Sequence, residues 1–308
     1  MNQEYKTFVV INPKSADGST GKNLNSLLSK LKSIGQFTHY LTESQSHATV
    51  LTNNALKKGY NRIIAIGGDG TFNEVSNGFF ENNHLINDKA VLGFISGGTG
   101  ADFIRTLEIP ANINRAIDKI VLNKIKKIDI AKIISLDEYG QKIERYFLNA
   151  SNIGLGGDVV KKVNSSTKLL GGFATFLVST IETAMKYENQ KVKIILDNET
   201  ILEDVFSNII VANGRFCGGG MKFLPSAEVN DGLLDILTIG DINKLEFFEN
   251  IFKVYRGTHL EFEKITTKKA KKIEIITEKR LRVETDGENC GFTPAKYEII
   301  PNILNIIA

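Results

Sequence analysis

Only two cysteines, Cys217 and Cys290, occur among the 308 residues. That excludes a disulfide framework and a multi-cysteine metal site, and it points to a reduced, cytoplasmic setting. Excess charge of one sign is equally scarce, since 38 Lys and Arg against 35 Asp and Glu leave a formal net charge of +3. So small a balance gives no reason to expect nucleic acid as a partner, although it is compatible with an anionic ligand or membrane surface. Long apolar runs are also missing. The run Thr7 to Ile11 is too short to be the core of a signal peptide, and no small-residue cleavage site follows it. The most membrane-like stretch, Leu169 to Ile181 between Lys168 and Glu182, falls short of the roughly 20 apolar residues that span a bilayer. Any membrane contact is therefore expected to be peripheral. No internal repeat or low-complexity segment is present.

What remains is an ordinary globular composition, 42% hydrophobic and 24% charged, in a chain longer than one core usually supports. Two domains are expected. In residues 1–127, short apolar runs alternate with helical spacing. Thr7 to Ile11, Phe37 to Leu41, Arg62 to Ile66 and Ala90 to Ile95 read as strands, and Leu24, Leu27, Leu28, Leu31 and Ile34 recur at helical spacing. A second helical stretch runs from about Ser46 to Lys58. Strands alternating with helices predict an α/β domain with a doubly wound parallel sheet. From residue 128 to 308 hairpin signals dominate, including Asp137-Glu138-Tyr139-Gly140 and Asp197-Asn198 between strand-like runs. That half is expected to be mainly antiparallel β, a sandwich. Helical segments near Phe173 to Lys186 and Leu245 to Tyr255 interrupt it.

The most informative stretch is Ile66-Gly67-Gly68-Asp69-Gly70-Thr71-Phe72-Asn73-Glu74-Val75. It leaves a strand and opens a helix, with Phe72, Val75, Phe79 and Phe80 on one helical face. Glycines let a ligand approach the backbone, and N–H groups at a helix start suit phosphate oxygens. Asp69 adds a carboxylate able to face a phosphate-bound Mg²⁺, while Thr71 and Asn73 add neutral hydrogen-bonding groups. A plain structural turn would also use glycine. The spacing is neither a P-loop, which needs a lysine after the glycines, nor a Gly-x-Gly-x-x-Gly dinucleotide turn.

The Gly-Gly-Asp-Gly-Thr string resembles the signature shared by diacylglycerol kinases, sphingosine kinases, NAD kinases and phosphofructokinases. Its continuation through Asn73-Glu74-Val75 resembles the diacylglycerol kinase catalytic-domain family, in its bacterial soluble lipid kinase branch. Three further blocks lie in that family's order: Ser96-Gly97-Gly98-Thr99-Gly100-Ala101-Asp102-Phe103-Ile104-Arg105, Pro225 through Asp231-Gly232-Leu233-Leu234-Asp235, and Asp286-Gly287-Glu288. The departure is Ala101, where the family usually has asparagine, so one amide near the phosphates is missing.

The resemblance implies an ATP-dependent lipid kinase that uses Mg²⁺, with diacylglycerol the leading acceptor. It would work in the cytoplasm, peripheral to the inner face of the membrane, and the resemblance allows a homodimer. The alternatives are an NAD kinase and a non-catalytic nucleotide- and lipid-binding regulator. Residues 1–127 would bind nucleotide, through Asn12, Thr42, Gly68, Asp69, Gly70, Thr71, Phe72, Asn73, Glu74 and Thr99. For Asn12 and Thr42, polar capping of a strand end is the alternative reading. Lys22 is as readily a solvated lysine as a phosphate ligand. Residues 128–308 would supply the general base, Asp286, and a lipid-acceptor cleft. Asp286-Gly287 also reads as a hairpin turn, and a turn can carry a base.

Asp129 is an acid inside an apolar strand, where a charge needs a partner. By resemblance it joins a water and Mg²⁺ network beside the nucleotide. Lys168 resembles a family lysine near the transferred phosphate, or is a solvated helix-start lysine. By resemblance, Glu228, Asp231 and Leu233 match a structural metal site that uses backbone oxygens of Glu228 and Leu233 as well as Asp231, suited to Mg²⁺ or Ca²⁺; Asn230-Asp231-Gly232 is otherwise a plain turn. Leu169 to Ile181 would line an acyl-chain cleft or form a buried core helix. Lys264, Lys268, Lys269, Lys271, Lys272, Lys279, Arg280 and Arg282 form a basic cluster, which would draw in anionic lipid or simply be solvated.

Overall fold

A computed structural model describes residues 4–97, 102–165 and 172–308. The chain divides into two units, residues 1–129 with 302–308, and residues 130–301. The expected partition, 1–127 and 128–308, left the whole C-terminus in the second domain. The structure instead returns the last residues to the first unit, because Asn305 and Ile306 pair with Val91 and Leu92 as an added parallel strand.

In the first unit the parallel strands lie in the order Phe37–Leu41, Thr7–Ile11, Arg62–Gly67, Val91–Ser96, then the returning C-terminus. Strands Thr7–Ile11, Arg62–Gly67 and Val91–Ser96 are buried at every position. Such runs, rather than alternation, belong to strands covered on both faces. Each enclosed Val or Ile contributes about 1.5–3 kcal/mol of burial. Phe37–Leu41 at the sheet edge is the polar exception. Helix Ile113–Leu122 is capped by Asn112, whose side chain accepts the Arg115 N–H.

The second unit is antiparallel. One run of strands follows the order Ile265–Ala270, Leu234–Ile239, Asn208–Ala212, Ala150–Gly154, Arg282–Thr285 and the first part of Glu288–Ile307. Strand Gln190–Leu196 pairs with Thr200–Phe206 and with Lys272–Thr277. The Asp197-Asn198 turn has φ of 51° and 64° at its two residues, as a tight hairpin requires. Inward side chains from these strands, among them Ile133, Phe147, Ile153, Ile194, Val211, Ile236, Ile275, Val283 and Tyr297, make one core. Among the described residues no helix is long and apolar enough to cross a membrane.

Candidate active site

In the first unit, the register sets Ile11 beside both Leu41 and Ile66, and Ile66 beside Ile95, so four strands end level. Asn12, Thr42, Gly68 and Gly97 follow at that carboxyl edge. The chain leaves Thr7–Ile11 for Phe37–Leu41 on one side and leaves Arg62–Gly67 for Val91–Ser96 on the other, which makes the gap between the ends of Thr7–Ile11 and Arg62–Gly67 a topological switch point, where ligands of open α/β sheets bind. Asn12 spans this point, its Nδ2 donating to Thr71 Oγ1 at 3.0 Å. The Asn12 backbone N–H donates to the Ile66 carbonyl at 2.9 Å, and that of Thr42 to the Ile11 carbonyl at 2.8 Å.

Gly68 is extended, with φ −106° and ψ −171°, and starts helix Asp69–Asn77. A Cβ built on it would meet nothing within 4 Å, so the protein's own packing does not require glycine there. Gly97 is the opposite case. A Cβ would sit 2.5 Å from Ser15 Oγ and 2.6 Å from Thr20 Oγ1, the two hydroxyls being 2.7 Å apart beside it. The Ser15 and Thr20 pair escaped sequence reasoning, because only the fold brings their loop against the second glycine block. Lys22 ends the short helix Ser19–Lys22 and is exposed.

Several acids and neighbours in the motif hold the backbone. The two Asp69 oxygens accept the N–H groups of Asp102 and Phe103 at 2.9 and 3.1 Å, fixing the start of helix Asp102–Thr106. The Glu74 carboxylate accepts the N–H groups of Ser46 and Ala48 at 2.8 and 3.2 Å, capping helix His47–Lys57. Phe72 is fully buried against Phe94, with ring centroids 4.7 Å apart, and its N–H donates to the Gly68 carbonyl. Asn73 is also fully buried and accepts from Asn77 Nδ2. Phe72, Asn73 and Glu74, expected as nucleotide contacts, make these side-chain contacts within the unit. Phe79 and Phe80 are buried too, but they lie beyond the helix end at Asn77.

Asp129 is fully buried, and its Oδ1 accepts the N–H of Asn302 at 2.7 Å, pinning a residue with φ of 50°. The partner that a buried acid needs is thus a backbone amide where the chain re-enters the first unit. Thr99, Ala101 and Lys168 lie outside the described residues.

In the second unit, Asp286 and Gly287 form the two-residue turn joining Thr285 to its partner Glu288, with φ of 48° and 85°. The turn reading and the side-chain reading meet in one residue. Asp286 Oδ2 accepts the Leu148 N–H at 2.8 Å, and Oδ1 accepts those of Asn149 and Ala150 at 3.1 and 3.0 Å. Three amides therefore fix the carboxylate's orientation. Two residues earlier, Glu284 is 3% exposed, accepts from Asn152 Nδ2, and accepts the Gly287 N–H at 2.9 Å. Burial, helped by the Asp286 charge, pushes its carboxyl up to about 8 against the pull of those donors. Sequence reasoning missed Glu284, although an acid inside an apolar strand was the same signal that singled out Asp129.

Of the expected metal ligands at Glu228, Asp231 and Leu233, the one side-chain ligand, the Asp231 carboxylate, is engaged by the protein itself. Asp231 Oδ1 accepts the Leu233 N–H at 3.0 Å, and Oδ2 accepts from Lys269 Nζ at 2.7 Å. Among the described residues no group of three or more His, Cys, Asp or Glu is placed to hold a metal ion. Four of the eight members of the basic cluster pair with acids. Lys264 pairs with Glu246, Lys269 with Asp231 and Asp235, Lys272 with Glu298, and Arg282 with Asp158. Arg280 donates to the carbonyls of Asp137 and Glu138. Leu169 is not among the described residues; the helix that follows, Gly172–Lys186, buries Ser179 and leaves Val178 and Met185 exposed.

Comparison with known proteins places this arrangement first in a class of fold. An NAD kinase from Archaeoglobus fulgidus in complex with ATP superposes with a TM-score of 0.53 at 14% identity, over 98% of this chain and 93% of that one, a likeness of fold alone. Residues 150–308 match the model of the YegS C-terminal NAD kinase beta sandwich-like domain, and residues 6–133 match that of the diacylglycerol kinase catalytic domain. A diacylglycerol kinase of Staphylococcus haemolyticus is 30% identical over 290 residues, 94% of this chain and 84% of the relative. One of Bacillus subtilis is 27% identical over 291 residues, 94% and 91% of the two chains. A crystal structure of a diacylglycerol kinase from Bacillus anthracis superposes with a TM-score of 0.73 at 28% identity, covering 100% of this chain and 98% of that one. The chain belongs to the diacylglycerol kinase family and is a lipid kinase, a phosphotransferase with an alcohol as acceptor.

Proposed function

We propose that this protein transfers the γ-phosphate of ATP to the hydroxyl of a membrane lipid, with diacylglycerol the leading acceptor and phosphatidic acid the product. The observation that carries the reading is the Gly68 turn. It sits at a switch point, opens a helix of nine residues, and has open space where a side chain would stand. The first N–H groups of a helix lack partners within it, and its positive end favours phosphate.

In this reading Asn12, Thr42, Gly68, Gly70 and Thr71 line the nucleotide's phosphate side, joined by Thr99. Phe72, Asn73 and Glu74 act from behind, by fixing the helix. Mg²⁺ enters with the ATP phosphates as part of the substrate, and Asp69 is the acid of the turn. Asp286 is the general base, held in orientation by the amides of Leu148, Asn149 and Ala150. It takes the proton of the lipid hydroxyl as that oxygen bonds to the γ-phosphorus. The bond from the γ-phosphorus to the β–γ bridging oxygen breaks, and ADP leaves with its electron pair. Residues 1–127 as the nucleotide domain and 128–308 as the domain of the base and lipid cleft are part of the same proposal, as are Asp129 and Lys168 near the transferred phosphate. Attachment to an anionic membrane surface and a homodimer are further parts of it.

The test offers γ-labelled ATP with detergent-dispersed diacylglycerol, with NAD, and with a total lipid extract whose products are identified by mass. Label in phosphatidic acid is the expected result. Label in NADP alone refutes the acceptor class. Thermal stabilisation by ATP without turnover on any lipid makes the protein a regulator rather than an enzyme.

A further inference from the structure

The resemblance implies a divalent ion at the Asp231 carboxylate and the backbone oxygens of Glu228 and Leu233, and that carboxylate is already engaged within the protein. Asp231 and Asp235 are two carboxylates four residues apart, around the start of strand Leu234–Ile239. Between them stands a single ammonium. Lys269 Nζ is 2.7 Å from Asp231 Oδ2 and 3.3 Å from Asp235 Oδ2, and the Asp235 side chain is only 3% exposed. The sheet enforces the arrangement, since Asp235 and Lys269 are register partners in the antiparallel pair of Leu234–Ile239 with Ile265–Ala270. The pairing therefore sets the two side chains side by side on one face of the ladder, next to the buried pair Leu234 and Ala270. The remaining Asp231 oxygen is held by the Leu233 N–H at 3.0 Å.

We infer that the Lys269 ammonium is the built-in cation of this loop and takes the place of a bound divalent metal. The chemistry of the two cations differs in a way that decides the case. Mg²⁺ requires near-octahedral oxygen ligation at about 2.1 Å, and Ca²⁺ takes about six to eight oxygens. Either would have to share Asp231 with a positive charge at hydrogen-bond distance. A lysine is a point charge with three donors and needs no such shell. A tethered ammonium also cannot be removed by chelation. The loop ahead of Leu234–Ile239 is thus ordered without metal, whichever lipid or nucleotide the protein uses.

The test uses the full chain, freed of divalent ions with EDTA and kept free of nucleotide, so its outcome is separate from the phosphotransfer reading. Mn²⁺ binding is followed by electron paramagnetic resonance, and melting is followed by circular dichroism with and without Mg²⁺ or Ca²⁺. The wild-type protein should bind no Mn²⁺ that is lost in Asp231→Asn, and its melting temperature should not respond to either ion. Lys269→Met keeps the aliphatic stem and removes the charge. It should melt several degrees lower in EDTA, gain one Mn²⁺ equivalent, and recover stability on adding Ca²⁺ or Mg²⁺. One equivalent of Mn²⁺ on the wild type that disappears in Asp231→Asn overturns the inference. So does a folded Lys269→Met protein that binds no more Mn²⁺ than the wild type. If Lys269→Met does not fold, the comparison of wild type with Asp231→Asn still decides.

Discussion

Replacing Glu284 by glutamine should flatten the fall in stability that the wild-type protein shows above neutrality. Glu284 is buried, and its carboxyl titrates at about 8 in the folded protein against an ordinary 4.5. Burial is the largest cause and the Asp286 charge adds to it, while the Asn152 and Gly287 donors oppose both. The folded state therefore holds a proton that the unfolded chain releases. The stability this contributes is fully present below 4.5 and is lost as the pH rises through about 8. At about 1.4 kcal/mol per pH unit, the whole shift corresponds to at most about 5 kcal/mol. The share lost between about pH 6 and pH 8 is about 2 kcal/mol. Glutamine does not titrate, but its NH₂ must face one of the two donors, Asn152 Nδ2 or the Gly287 N–H. That mismatch costs about 1–3 kcal/mol at every pH. Urea unfolding followed by circular dichroism at a series of pH values measures both effects. The variant should be less stable at pH 6, and the gap should close as the pH rises. Other titrating groups, including the buried His259, are common to both proteins and cancel in the difference. Parallel curves for wild type and variant from about pH 6 to pH 9 would refute the reasoning, because they would mean that Glu284 does not change its charge there.

Three further outcomes are expected. Gly68→Ala should melt with the wild type, since its Cβ meets nothing within 4 Å and its φ of −106° suits alanine, yet it should weaken ATP binding at least about tenfold by calorimetry; unchanged affinity would remove the turn from the nucleotide site. Asp286→Asn should abolish transfer to lipid while leaving ATP binding within about twofold, and it should lower stability by about 1–3 kcal/mol, because an amide N–H would oppose the backbone donors of residues 148–150. A transfer rate close to wild type would end the general-base assignment. Glu74→Ala, which uncaps helix His47–Lys57, should cost about 1–2 kcal/mol in urea unfolding; a stability equal to wild type would show that the cap contributes nothing.

The elements written in local pattern were legible. Strands Thr7–Ile11 and Phe37–Leu41 have the bounds expected from their apolar runs, and the Asp197-Asn198 hairpin follows from turn chemistry alone. The expected helix from Leu245 to Tyr255 is two short helices, Lys244–Asn250 and Lys253–Arg256. Strand Ile265–Ala270 was read only as part of a basic cluster, because four of its six residues are exposed and polar. Nor does the sequence announce that Glu288–Ile307 is one strand of 20 residues serving both units, since only distant partners define it. At the site, motif spacing located the glycine turn and the Asp286 turn. It did not reveal where each carboxylate points, which depends on amides far away in sequence.

That last difference changes what the acids of this chain mean. Asp69, Glu74, Asp129 and Asp286 were each singled out as chemistry, and in the structure each carboxylate receives backbone N–H groups from a segment between 26 and 173 residues away. A carboxylate has about four acceptor positions, and a charge-assisted bond to an amide is among the stronger ones a protein makes. An acid so placed joins two segments of backbone whatever else it does. Loss of activity on removing it is therefore ambiguous between lost chemistry and a lost tie. The two are separable only where their physical signatures differ. A tie reports in unfolding free energy, equally with or without substrate. A base reports in the rate of transfer at saturating ATP, with nucleotide affinity retained. Glu74, half-buried and capping a neighbouring helix, belongs to the first kind by its geometry, whereas Asp286, in a two-residue turn that its own carboxylate anchors, has the geometry of both.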